Sequence, residues 1–88
     1  MRRESWGVFW DLPDDAEGNV QHIAEHGLNE DEVDDVLLNA ALPIEISASS
    51  GMPLRQGWTS TGRYIVVIWE QIDADSVRPI TAYEPTDS

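Results

Sequence analysis

The sequence predicts an α+β fold in which two short N-terminal helices pack on one face of an antiparallel sheet of about four to five strands. Three observations point to it. Apolar residues recur at helical spacing between residues 16 and 40, strand-like alternation takes over from residue 44, and clusters of Gly, Pro, Ser and Asp punctuate the second half. With 88 residues, 41% of them hydrophobic, and four tryptophans, the chain holds apolar bulk for one modest core. It reads as a single domain over residues 1–88 with an ordered core of about 7–84.

The elements follow in order. Residues 7–11, aromatic and β-branched, read as an opening strand that ends in the turn Leu12-Pro13-Asp14-Asp15. Asp14 is then the expected N-cap of helix one, with Glu17 three positions on and Ala16, Val20, Ile23 and Ala24 as its apolar stripe. Gly27 ends that helix in a left-handed residue, and Leu28 packs back on Ile23. Helix two has the stronger start. Asn29 caps it, Glu32 completes a capping box, Leu28 staples onto Val33, and Val36, Leu37 and Ala40 continue the buried side until Pro43.

Residues 44–48 and 54–60 then read as strands around a Ser49-Ser50-Gly51 turn, and Thr61-Gly62 makes a hairpin into residues 63–70, apolar enough for a central strand. After Asp73-Ala74-Asp75 the last strand covers residues 77–84. Its Pro79 cannot donate a ladder hydrogen bond, which predicts an edge position or a bulge. Residues 85–88 are expected to fray.

Composition narrows the function classes. There is no cysteine, so disulfides and thiolate metal sites are excluded. No apolar run has the length of a signal peptide or a membrane span, which predicts a cytoplasmic protein without membrane contact. Seventeen Asp and Glu against five Arg and no Lys give a net charge of −12, a surface that repels polyanions and suits a basic partner. The same excess of acid also keeps a protein soluble or suits a saline habitat, and the acidic start of helix two matches the helix dipole.

Phe9-Trp10-Asp11, then a helix bearing Asn19 and closing on His26-Gly27, then Asn29-Glu30-Asp31-Glu32-Val33 opening a second helix, together resemble the BrnT family of toxins. The stretch from Gly57 to Trp69 is similar to that family's hairpin, and Val77-Arg78-Pro79-Ile80-Thr81-Ala82-Tyr83 to its last strand, so the resemblance spans about residues 8–84. It implies a fold like that of RelE-type ribonucleases, a bacterial toxin-antitoxin setting, an antitoxin partner, and RNA cleavage by side chains with no metal or other cofactor. Carried over by position, the catalytic candidates are His26, Arg63 and Arg78. Two positions depart from the pattern: Glu25 stands where the toxins place Lys before His-Gly, and the segment after Tyr83 is acidic where theirs is basic.

Arg55 and Tyr83 complete the candidate set, because a third guanidinium and an aromatic on neighbouring strands would bind phosphate and RNA. Each has a structural alternative: the arginines pair with Glu45, Glu70 or Glu84, Tyr83 packs on the sheet, and His22 and His26 cap or pack at the end of helix one. The four-residue spacing of His22 and His26 also suits a metal, although no third ligand is marked. Trp6, beside the terminus, is the tryptophan expected to face a partner. Two functions stay open: a metal-independent endoribonuclease neutralised by an antitoxin, and a non-catalytic acidic module of the same fold that binds a basic protein.

Overall fold

The computed structural model describes residues 3–85, so part of the tail expected to fray, residues 86–88, lies outside the described residues. The chain runs β1 (Gly7–Val8), α1 (Asn19–Glu25), α2 (Glu30–Leu37), β2 (Glu45–Ile46), β3 (Pro53–Trp58), β4 (Tyr64–Asp73) and β5 (Ser76–Tyr83). It is the expected α+β arrangement, helices before the main sheet. The five strands lie in the order β1-β5-β4-β3-β2, and β2 to β5 pair antiparallel. β1 differs from the all-antiparallel expectation. It joins β5 in parallel, Gly7 opposite Ser76 and Val8 opposite Val77.

Ile65, Val67 and Trp69 alternate along β4 into a core completed by Ile23, Leu28, Val33, Val36, Leu37, Val77 and Ala82. Arg55 and Gly57 share that side of the sheet, since they pair with Val67 and Ile65. Leu54, Gln56, Trp58, Tyr64, Val66 and Ile68 therefore lie on the other face, away from α2.

The end of α1 closes as the sequence indicates. Gly27 takes a φ of 75°, Leu28 N–H donates to Ile23 O (3.1 Å), and Gly27 N–H donates to Ala24 O (2.9 Å), the paired bonds of a Schellman ending. Its start does not. Gly18, not Asp14, precedes the helix and offers no side-chain cap; instead the Asp11 carboxylate accepts the Asn19 N–H at 2.9 Å. A Cβ on Gly18 would come within 2.7 Å of the Asp11 Cβ, so only glycine lets that carboxylate reach the helix end.

In α2 the Asn29 side chain accepts from Glu32 N–H (2.9 Å) and Glu32 Oε1 accepts from Asn29 N–H (3.3 Å), the capping box complete. The helix stops at Leu37, well before Pro43; Arg55 caps the Leu37 carbonyl, and the Ala41 N–H that would otherwise reach it donates to Asn39 Oδ1. Pro79 sits at a bulge, with β4 shifting register between Ile68 and Trp69. β1 shields only the first residues of β5. Beyond it the Asn19 amide donates to Pro79 O at 3.1 Å and does the work of a neighbouring strand. Among the described residues no helix is long and apolar enough to cross a membrane.

One acidic residue of α2 is poorly placed. Asp34 is half-buried, its Oδ1 has no hydrogen-bond partner among the described residues, and burial, aided by Asp31, Glu30 and Asp35 against Arg3, pushes its pKa up from 3.8 to about 6. The folded protein thus holds a proton that the unfolded chain releases. Stability falls as pH rises between those two values and stays lower above them. Because water still reaches the group, the loss is about 1 kcal/mol. Asp34→Asn is expected to raise the melting temperature by about 4–8 °C at neutral pH and to change little below about pH 4, read from thermal melts at both.

Candidate functional site

The candidate residues divide among three places. One corner forms where the end of α1 meets the end of β5 and the β3–β4 hairpin. The Schellman ending sets His26 there, its ring 6.4 Å from that of Tyr83 and 5.5 Å, edge to face, from that of His22. His22 Nε2 lies 3.0 Å from Thr81 Oγ1, and its Nδ1 is 3.7 Å from the Glu25 carboxylate. Arg63 arrives from the start of β4, donating from Nη1 to Gly27 O and from Nε and Nη2 to Glu84 Oε1.

That corner is built around a carboxylate hub. Glu32, 5% exposed, accepts Asn29 N–H at one oxygen, while the other takes the Thr61 hydroxyl at 2.7 Å and lies 3.5 Å from Arg63 Nη1. Asp35 accepts both the N–H and hydroxyl of Ser60, so the hairpin is tied to the first turns of α2. Pairing with Glu84 first, and with Glu32, holds Arg63 above the ordinary arginine pKa. The guanidinium is therefore fixed, charged and already neutralised by two acids.

Arg78 stands at the far end of β5. Its Nη2 donates to Asp11 Oδ2 at 2.8 Å, and Asp11 also accepts from Asn19 N–H; these bonds, the backbone one foremost, hold its carboxyl below the usual range. Arg55 is inside the protein. Only 3% exposed, it donates from Nε to Leu42 O (3.1 Å), from Nη1 to Leu37 O (2.9 Å) and from Nη2 to Glu4 Oε2 (2.6 Å). Its guanidinium carbon lies 5.4 Å from the ring of Trp6 and 5.9 Å from that of Trp69.

The structure thus brings together His26, Tyr83 and Arg63, and separates them from Arg78 and Arg55. A three-arginine phosphate grip beside His26 does not form, because each guanidinium follows its own carboxylate. Trp6, expected to face a partner, instead packs on Trp69 at 5.9 Å; Trp58 is the exposed tryptophan, at 67%. Among the described residues no three His, Asp or Glu side chains are grouped to hold a metal. No protein-family model, curated relative or solved structure matches the chain.

Residues absent from the sequence-derived set matter as much as those in it. Asn19 is 4% exposed and Glu32 nearly as deep, yet both are polar residues in ordinary helix-start contexts. For Asn19 one signal existed: it lies four positions before Ile23, on the apolar stripe of α1, where a polar side chain needs internal partners.

Proposed function

We propose that this chain is a BrnT-like domain working as a non-catalytic acidic interaction module, whose partner is a basic protein of the antitoxin kind in a bacterial cytoplasm. The observation that carries the reading is the fate of the arginines. Arg55 pairs with Glu4, Arg63 with Glu84 and Glu32, and Arg78 with Asp11, so a phosphate approaching any of them would have to displace a carboxylate. The net charge of −12 supports it from the other side. Such a field slows a polyanion and steers a cationic protein inward, more strongly at low salt.

The endoribonuclease reading keeps one observation in its favour, the meeting of His26, Tyr83 and Arg63. An imidazole there can pass a proton, but Glu25 lies by the neighbouring His22 and Glu84 already holds Arg63, so a scissile phosphate would meet carboxylates in this corner. Incubating the protein with total RNA in chelator separates the two readings. The module predicts no cleavage above that of the His26→Ala, Arg78→Ala double variant; cleavage lost in that variant would establish the nuclease instead.

A further inference from the structure

The open face of the sheet carries a second feature, beside the hairpin. Trp58 and Tyr64 are cross-strand partners on β3 and β4, their rings 5.3 Å apart and nearly perpendicular at 76°. With Gly62, Arg63, Glu84 and Pro85 they line a cleft of about 370 Å³. Tyr64 is held in turn. Its hydroxyl reaches Gln56 Oε1 at 3.4 Å, and Gln56 donates onward to Glu45 Oε2 at 3.0 Å.

An indole left 67% exposed on a strand is not explained by packing, and the edge-on tyrosine fixes its plane while leaving ring surface open to the cleft. The charges around it decide what suits that surface. Glu84 and Glu45 are exposed acids on this side, and Arg63, the one cation lining the cleft among the described residues, has its charge answered by Glu84 and Glu32. Only Oε1 of Glu84 accepts from Arg63, and Oε2 accepts no hydrogen bond among the described residues. A stacked nucleotide would bring its phosphate against these carboxylates. A cation laid on the indole would gain both the ring and the free Glu84 oxygen.

We infer that this aromatic–acidic cleft is the seat for a lysine or arginine side chain presented by a basic segment of the partner protein. The inference rests on the reading of the domain as an acidic interaction module and names where, on that module, recognition is centred. Trp58 provides the contact surface, Tyr64 its orientation and Glu84 the charge.

Calorimetric titration of the intact protein with decalysine at low ionic strength tests it, run in parallel on Trp58→Leu and Trp58→Phe, with single-stranded oligouridine as a second probe. Decalysine should bind the parent protein, bind Trp58→Leu about three- to thirty-fold more weakly, and bind Trp58→Phe in between, with melting temperatures unchanged because the indole is exposed. Equal binding by parent and Trp58→Leu would overturn the cleft and leave the basic-partner reading standing. No binding of decalysine by the parent would overturn both. Oligouridine binding that Trp58→Leu abolishes would overturn the cation seat in favour of base stacking.

Discussion

Arg55→Met is expected to lower the unfolding free energy by about 3–5 kcal/mol, the range for removing one partner of a buried ion pair. The guanidinium serves three acceptors at once, Leu37 O, Leu42 O and Glu4, and lies against both the Trp6 and the Trp69 ring. Methionine fills much of the volume and bonds none of them. Two buried carbonyls and a carboxylate would be stripped of donors, and the cation at the end of α2 would be lost. Arg55→Lys keeps the charge but cannot serve three directions, so it should fall between the two. Urea unfolding with an unchanged slope is the measurement. A loss below about 0.5 kcal/mol would mean that the side chain is not held in the core, since substitutions away from such features stay within that bound.

Asn19→Ala should cost nearly as much, about 3 kcal/mol, for a different reason. One amide satisfies three backbone groups: its Oδ1 accepts Asp11 N–H (2.8 Å), and its Nδ2 donates to Phe9 O (3.0 Å) and Pro79 O (3.1 Å). Alanine leaves all three unpaired, at about 1–3 kcal/mol each before relaxation. The damage would spread, because these bonds join the loop after β1, the start of α1 and the bulge of β5. Thermal melting should shift down by about 12 °C or more. Asn19→Asp is the sharper probe, since it keeps the acceptor, loses both donors and sets a second carboxylate beside Asp11; it should be worse than alanine at neutral pH and recover in acid.

These two side chains also mark where sequence reading ends. The capping box of Asn29 and Glu32, the Gly27 ending, the Gly62 turn and the bulge at Pro79 are local devices, each written in a few adjacent residues. The start of α1 is not local. Asp14 and Glu17 make a plausible cap, but Asp11 reaches over them to Asn19, and nothing within one turn of the helix announces that contact. The parallel pairing of β1 with β5 joins the two ends of the chain and is equally silent.

Arg55 was legible in part. Strand alternation sets Arg55 and Gly57 on the face opposite Leu54, Gln56 and Trp58, but the apolar Leu54 and Trp58 favour the core for their own face, and it is the structure that turns the arginine toward the helices. Its charge argued for the surface, and the rings and carbonyls that make burial tolerable come from residues distant in sequence. Of the candidate residues His26, Arg63, Arg78, Arg55 and Tyr83, the fold brings only His26, Arg63 and Tyr83 to one corner. Which acid each arginine pairs with depends on side-chain reach across the fold, which the order of residues does not show.

The most direct test is an NMR titration of the ¹⁵N-labelled protein with oligouridine at low ionic strength, following the arginine Nε–H signals. With the guanidiniums held by carboxylates, the Arg55 and Arg63 signals should be protected from exchange, and none of those of Arg55, Arg63 and Arg78 should move as RNA is added. Arg63 and Arg78 signals shifting together with a saturable RNA complex would show that these arginines are available to phosphate, and would contradict the account.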